Sequence, residues 1–122
     1  MDIRKWDFQR GYIEVNLDHI LHNIEQIRKI TDEDTKLLAV VKADGYGHGC
    51  VPIAKAIEGE DCLFGFAVAT SEEAFDLRDA GIEKPVLILG YSFPHAYPTC
   101  IDQEIRVTVF REDMLEELSR IA

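Results

Sequence analysis

A lysine ends an apolar run, Leu37-Leu38-Ala39-Val40-Val41-Lys42, and three glycines follow at alternate positions, Gly45, Gly47 and Gly49. A continuous apolar run of this length reads as a strand buried on both faces. Lys42 therefore sits where a buried strand gives way to a loop, and in parallel α/β folds the carboxyl ends of strands are where ligands bind. Partial desolvation at such a rim disfavours an ammonium and favours the neutral amine, which attacks carbonyls. The chemistry this suggests is a Schiff base, either with a substrate carbonyl or with the aldehyde of pyridoxal phosphate. The glycines let the backbone turn sharply and come close to a ligand. Tyr46 stands between two of them. Its phenol can donate to a phosphate oxygen while its ring covers a cofactor. Against this stands the plainer reading of Lys42 as a solvated residue at a strand end.

Around this stretch the chain alternates strands and helices. Tyr12 to Asn16 alternate in character like a short strand, and Asn16 or Asp18 can cap a helix with Leu17, Ile20, Leu21, Ile24 and Ile27 on one face, ending near Ile30. Thr31-Asp32-Glu33-Asp34 is an acidic turn before strand one, Leu37 to Val41. Pro52 fits the first turn of a helix carrying Ile53, Ala54 and Ile57, whose amino end points back toward the site and could assist in holding a phosphate. Strand two is Leu63 to Val68; Thr70 and Glu73 then form a capping box for a helix running to Ala80, stopped by Gly81. Strand three, Val86 to Leu89, follows Pro85; residues 91 to 98 form a proline-punctuated loop and short helix. Strand four is Arg106 to Phe110, and a last helix carries Met114, Leu115, Leu118 and Ile121. Four strand-helix units at a spacing of about 20 to 26 residues are the beat of a parallel sheet. They make half of a TIM-type (β/α)8 barrel, for which a closed form takes about 250 residues. The alternatives are a truncated barrel or an open four-stranded sheet, and the expectation adopted is the truncated barrel.

The wording of the segment carries more than its pattern. Val40-Val41-Lys42-Ala43-Asp44-Gly45-Tyr46-Gly47-His48-Gly49 resembles the pyridoxal-phosphate attachment motif of the alanine racemase family. Gly11 to Asp18 is similar to that family's opening strand and helix start, Ala67 to Ala74 to its second strand-to-helix joint, Pro85 to Gly90 to its third strand and Arg106 to Phe110 to its fourth. The resemblance runs from about Trp6 onward. It implies an amino-terminal barrel followed by a carboxy-terminal β-domain, of which the 122 residues supply the first part as a single unit. It also implies that Lys42 forms the internal aldimine with pyridoxal 5'-phosphate and acts as one of two bases. Tyr46 would hold the phosphate, and Val40 and Leu89 would pack against the cofactor ring. The opposite base, a tyrosine of the partner subunit's carboxy-terminal domain, the arginine at the pyridine nitrogen and most of the phosphate cup are implied to lie outside this chain. Where the family often has Asn-Ala, this chain has Asp44-Gly45. The parent so implied is a cytoplasmic, homodimeric enzyme interconverting L- and D-alanine for peptidoglycan, and the 122 residues alone would be inactive.

Composition narrows the partners. A net charge of −10 argues against nucleic acid and anionic membrane. What remains is a small-molecule substrate, which the resemblance implies is an amino acid. No run approaches the roughly 20 apolar residues a membrane span needs, and the amino end lacks the apolar core of a secretion signal, so a soluble cytosolic protein is expected. Cys50, Cys62 and Cys100, an odd count without CxxC spacing, read as reduced buried thiols.

Other constellations carry less. Gly45-x-Gly47-x-Gly49 departs from the GxGxxG dinucleotide fingerprint, and there is no Walker lysine-serine pair. His19 and His22 are three apart on a helix, but no cysteine or carboxylate is placed to complete a metal site, and no metal is expected. His48 is expected to shape the loop, and His95 has no identified partner. Two alternatives stand beside the alanine racemase reading. One keeps the Lys42 chemistry on another substrate, as in a serine racemase or a pyridoxal-dependent decarboxylase. The other is a non-catalytic pyridoxal phosphate binder or a bare folding unit. A half-barrel leaves two open strand edges, so self-association is expected as well.

Overall fold

The computed structural model describes residues 10–122; Trp6, from which the resemblance is counted, lies outside the described residues. Helix α1 (Leu17–Ile30) starts where Asn16 caps it, the side chain accepting from the Asp18 and His19 amides at 3.0 and 3.4 Å. It leads into strand β1 (Leu37–Val40), the one-turn segment α2 (Lys42–Tyr46) and helix α3 (Cys50–Ile57). Strand β2 (Leu63–Val68), helix α4 (Ser71–Asp79) and strand β3 (Val86–Ile88) follow. A 3-10 turn at Pro94–Ala96 enters helix α5 (Tyr97–Asp102), and strand β4 (Ile105–Val107) and helix α6 (Glu112–Ile121) complete the chain.

The four strands form one parallel sheet in the order β1-β2-β3-β4. Sequential order matters here. A doubly wound sheet reverses its strand order part-way and covers both faces with helices, whereas this sheet advances in one direction with its helices on one face, the arc of a barrel. Cα pairing places Ala39, Phe66, Val86 and Ile105 in one row and Val68, Ile88 and Val107 in the next. These side chains pack against Ile24 of α1, Ile53 and Ile57 of α3, Ala74 and Leu77 of α4 and Cys100 of α5, forming the core. The opposite face carries Leu38, Val40, Leu87 and Leu89 and is largely uncovered.

Four segments differ from the sequence expectation. Tyr12 to Asn16 is not a strand: no described strand runs beside it, so its backbone has nothing to pair with, and Tyr12 and Ile13 project outward. The β3–β4 pairing stops at Ile88 and Val107, where the Ile88 carbonyl accepts from the Thr108 hydroxyl at 2.7 Å, while on the β2 side the Leu89 amide still donates to the Val68 carbonyl at 2.8 Å. β4 accordingly runs from Ile105 to Val107, and Thr108, Val109 and Phe110 lie beyond it. β1 likewise ends one residue early, at Val40, although the Val41 amide still donates to the Ala67 carbonyl at 2.9 Å.

The amino-terminal rim of the sheet is tied by charged side chains donating to backbone. The Arg78 guanidinium reaches the carbonyls of Gln103, Ile82, Lys84 and Glu104 at 3.0, 2.7, 2.9 and 3.4 Å. The Lys84 ammonium donates to Glu60 and Leu63 at 2.7 Å each, and a Glu58 carboxylate oxygen accepts from the Glu83 and Lys84 amides. Helix α4 ends in the pattern its glycine requires: the Gly81 amide donates to Arg78 and the Ile82 amide to Leu77, with Gly81 at φ +86°. Cys50, Cys62 and Cys100 are free and buried.

Candidate active site at the carboxyl end of the first strand

Alternation along β1 puts Leu38, Val40 and Lys42 on the open face and buries Val41 beneath the helices. Lys42 is half-buried, and its amine makes no hydrogen bond or ion pair among the described residues. The full burial expected of a strand enclosed on both faces is absent here, because the open face has no cover. The amine lies 6.0 Å from the centre of the Tyr46 ring. That ring is 60% exposed, and Val40 and Leu89, exposed by 40% and 44%, stand on the same face of the sheet.

The loop that the glycines announced is a left-handed turn. Ala43, Asp44 and Gly45 have φ of 52°, 52° and 63° with ψ of 50°, 47° and 37°, and Tyr46 and Gly47 continue at φ of 56° and 83°. The glycine at 47 pays no steric cost for this, but Ala43, Asp44 and Tyr46 do, at roughly 1–2 kcal/mol each. Hydrogen bonds hold them there. The Gly45 amide donates to Val41 at 2.8 Å, Gly47 to Ala43 at 3.1 Å and Gly49 to Asp44 at 2.8 Å. The His48 ring nitrogen Nδ1 lies 3.2 Å from the Tyr46 carbonyl, in keeping with a loop-shaping role. The turn brings the Tyr46 ring back toward Lys42, four positions earlier in the chain.

Two carboxylates complete the neighbourhood. Asp44 accepts from the Cys50 amide at 2.8 Å and so occupies the amino end of α3, the position from which a phosphate was expected to gain help. Glu73 accepts from the Ala43 amide through Oε1 at 2.7 Å and from the Ala69 and Thr70 amides through Oε2 at 2.7 and 3.3 Å. Burial, then the charges of Asp44, Glu73 and Asp76, push the Cys50 thiol up to about 11. Cys50 is thus a protonated packing residue at neutral pH and not a nucleophile. The sequence marked Glu73 as half of a capping box, which is present, but nothing in its spacing pointed to Ala43, thirty positions away. No cluster of three or more potential metal ligands occurs among the described residues, His19 and His22 included.

An apolar groove of about 360 Å³ runs along the free edge of β1 between α1 and α3, lined by Ile20, Ile24, Ile27, Leu38 and Val40 among others. Lys42 does not line it. It marks unfinished packing at the sheet edge rather than the chemical site.

With this geometry the comparisons with known proteins agree. Residues 15–122 match the family model for the alanine racemase N-terminal domain. The chain belongs to the alanine racemase family. It is similar to alanine racemase 2 of Oceanobacillus iheyensis, 48% identical over 113 residues, which is 91% of this chain and 28% of that protein. It is also similar to the alanine racemase of Geobacillus stearothermophilus, 45% identical over 117 residues, 94% of this chain and 30% of that protein. Among solved structures, the alanine racemase of Clostridium difficile 630 superimposes with a TM-score of 0.84 at 37% identity, over 88% of this chain and 28% of that one. The Bacillus anthracis alanine racemase, solved with bound L-Ala-P, gives a TM-score of 0.77 at 36% identity, over 86% of this chain and 27% of that one. The chain therefore spans under a third of the length of these alanine racemases, matching their amino-terminal part.

The residues at the β1 tip fit pyridoxal 5'-phosphate. A primary amine without an acidic partner among the described residues can condense with an aldehyde, and exposed apolar Val40 and Leu89 offer a flat ring somewhere to lie. The phenol of the exposed Tyr46 is a hydrogen-bond donor of the kind a phosphate oxygen accepts. A Cβ built on Gly47 would meet nothing within 4 Å, which leaves room beside that tyrosine.

Proposed function

We propose that this chain is the first half of the barrel domain of a pyridoxal-phosphate-dependent alanine racemase, with Lys42 as the residue that carries the cofactor and serves as one of two bases. The observation that supports this most is the half-buried, unpartnered Lys42 amine on a strand tip, 6.0 Å from the Tyr46 ring, in a chain of this family. The cofactor, when bound, supplies an electron sink for the pair released at the amino acid's α-carbon. What the chain's own residues do is simpler. Lys42 presents Nζ on the open face, where it can hold the cofactor and take or return a proton on one side of the α-carbon. Tyr46 would donate a hydrogen bond from its phenol to the phosphate. Val40 and Leu89 would exclude water from one flank of the ring.

One face needs one base, so stereochemical inversion requires a second base opposite Lys42. No described residue stands there, and by the family resemblance it comes from a carboxy-terminal domain across a homodimer interface. The 122 residues alone are then expected to bind the cofactor weakly and to turn over no alanine. No described helix is long and apolar enough to cross a membrane, and a cytoplasmic enzyme supplying D-alanine for peptidoglycan suits the charge and the reduced cysteines. The alanine racemase of Bacillus anthracis, solved with bound L-Ala-P, supports alanine over serine for this chain as well.

The test is covalent. Pyridoxal 5'-phosphate is added, borohydride fixes it, and peptide mapping finds the label. Label concentrated on Lys42, lost in Lys42→Ala and kept in Lys36→Ala and Lys55→Ala, supports the reading; label spread evenly over the lysines refutes it.

A further inference from the structure

Glu73 does more than cap its helix. The β1–β2 ladder ends with the Val41 amide donating to Ala67 at 2.9 Å. The next inward-facing donor on that strand is the Ala43 amide, which has passed the end of the sheet and has no backbone acceptor. Glu73 Oε1 supplies one at 2.7 Å, while Oε2 holds the Ala69 and Thr70 amides where β2 turns into α4. One carboxylate thus adds a rung beyond the sheet, joining the peptide that follows Lys42 to the end of the neighbouring strand. Ala43 is also the first residue of the left-handed turn, at φ 52°, so the contact is made where the strain begins.

We propose that Glu73 is a positioning residue for Lys42, acting through the Ala43 amide. The carboxylate makes no ion pair with the Lys42 amine, so its effect is on where the amine stands and not on neutralising it. Two oxygens are needed because two separate segments are held. A neutral amide in this place has one acceptor oxygen, and its NH2 group faces an N–H it cannot accept from. The inference rests on the reading of Lys42 as the cofactor-bearing amine, but the clamp itself can be judged without it.

Glu73→Gln separates the two duties, since glutamine at this helix position still forms a capping box. Thr70→Ala is the control, removing the hydroxyl that accepts from the Glu73 amide at 3.3 Å while leaving the carboxylate in place. In the full 122-residue chain, Glu73→Gln is expected to raise Ala43 amide hydrogen exchange about tenfold or more, the equilibrium equivalent of one charge-assisted hydrogen bond. It is expected to slow borohydride-fixed labelling of Lys42 by pyridoxal phosphate about fivefold or more, with labelling of Lys36 and Lys55 unchanged. Thr70→Ala should lower the unfolding midpoint yet leave both Lys42 readouts at the parent value. Ala43 exchange unchanged in Glu73→Gln, or raised equally in Thr70→Ala, overturns the clamp. Faster Ala43 exchange with Lys42 labelling unaltered overturns its positioning role. A parent chain whose Lys42 takes no label, with the Ala43 response intact, overturns the cofactor reading and leaves the clamp standing.

Discussion

If the carboxyl rim of the sheet is for chemistry and the amino rim for stability, removing a donor at each rim should have opposite consequences. Arg78 is the test at the amino rim. Its guanidinium ties the α4–β3 connection, through Ile82 and Lys84, to the α5–β4 connection, through Gln103 and Glu104. Hydrogen bonds from a charged donor contribute about 1.5–3 kcal/mol each where both groups are shielded. The two Nη1 contacts, at 2.7 and 2.9 Å and partly buried, carry most of this; the 3.4 Å contact to exposed Glu104 carries little, because water replaces it. Arg78→Met, which keeps the stem and removes every donor, should therefore cost about 3 kcal/mol. For a chain of this size that is a fall of about 12 °C in Tm. Arg78→Lys should recover only part, since a single ammonium cannot span two loops as a planar fork does. At the opposite rim Lys42→Ala removes an amine with no partner among the described residues and should change stability by under about 0.5 kcal/mol while abolishing pyridoxal phosphate labelling at that position. Urea unfolding of dilute protein, followed by far-UV circular dichroism, measures both. The reasoning is refuted if Arg78→Met lies within 1 kcal/mol of the parent, or if Lys42→Ala destabilises the chain as much as Arg78→Met does.

A Cβ on Gly65 would stand 2.1 Å from the Pro85 carbonyl oxygen, the acceptor of the Phe66 amide at 2.8 Å. Gly65→Ala must push β2 and β3 apart among fully buried Phe66 and Val86, and a loss of about 3 kcal/mol or more in chemical denaturation is expected. Cys50 gives a pH dependence. Its folded thiol is raised from 9.0 to about 11, so the folded state favours the protonated form. That contribution to stability is complete below pH 9 and disappears as pH climbs toward 11; Cys50→Ala should flatten the fall in unfolding free energy across this window. The free edges of β1 and β4 and the apolar groove beside β1 predict association, so sedimentation velocity at rising concentration should show species larger than 13.9 kDa. A single monomer boundary at all concentrations would contradict this.

Much of the fold is legible in local chemistry. Asn16, the Thr70–Glu73 box and Gly81 mark helix ends because caps and left-handed stops act within one turn of chain. The apolar runs at Leu37, Leu63 and Val86 mark strands because burial on a parallel sheet demands them. Lys42 and Tyr46 are legible as a pair because their spacing is itself the motif. Tyr12 to Asn16 reads as a strand by the same alternation, yet has no neighbour to pair with, and pairing is not a property of one segment. The strand ends at Ile88 and Val107 fall where the Thr108 hydroxyl meets the Ile88 carbonyl, a contact between residues twenty positions apart. The left-handed path through Ala43, Asp44 and Tyr46 runs against the preference of those residues. It persists because Glu73 and the Cys50 amide, brought in from other elements, satisfy groups that the strained turn exposes. Residue identity and spacing determined which amine could do chemistry. Only the tertiary structure decided where that amine stands, since its position is set by hydrogen bonds between segments far apart in the chain.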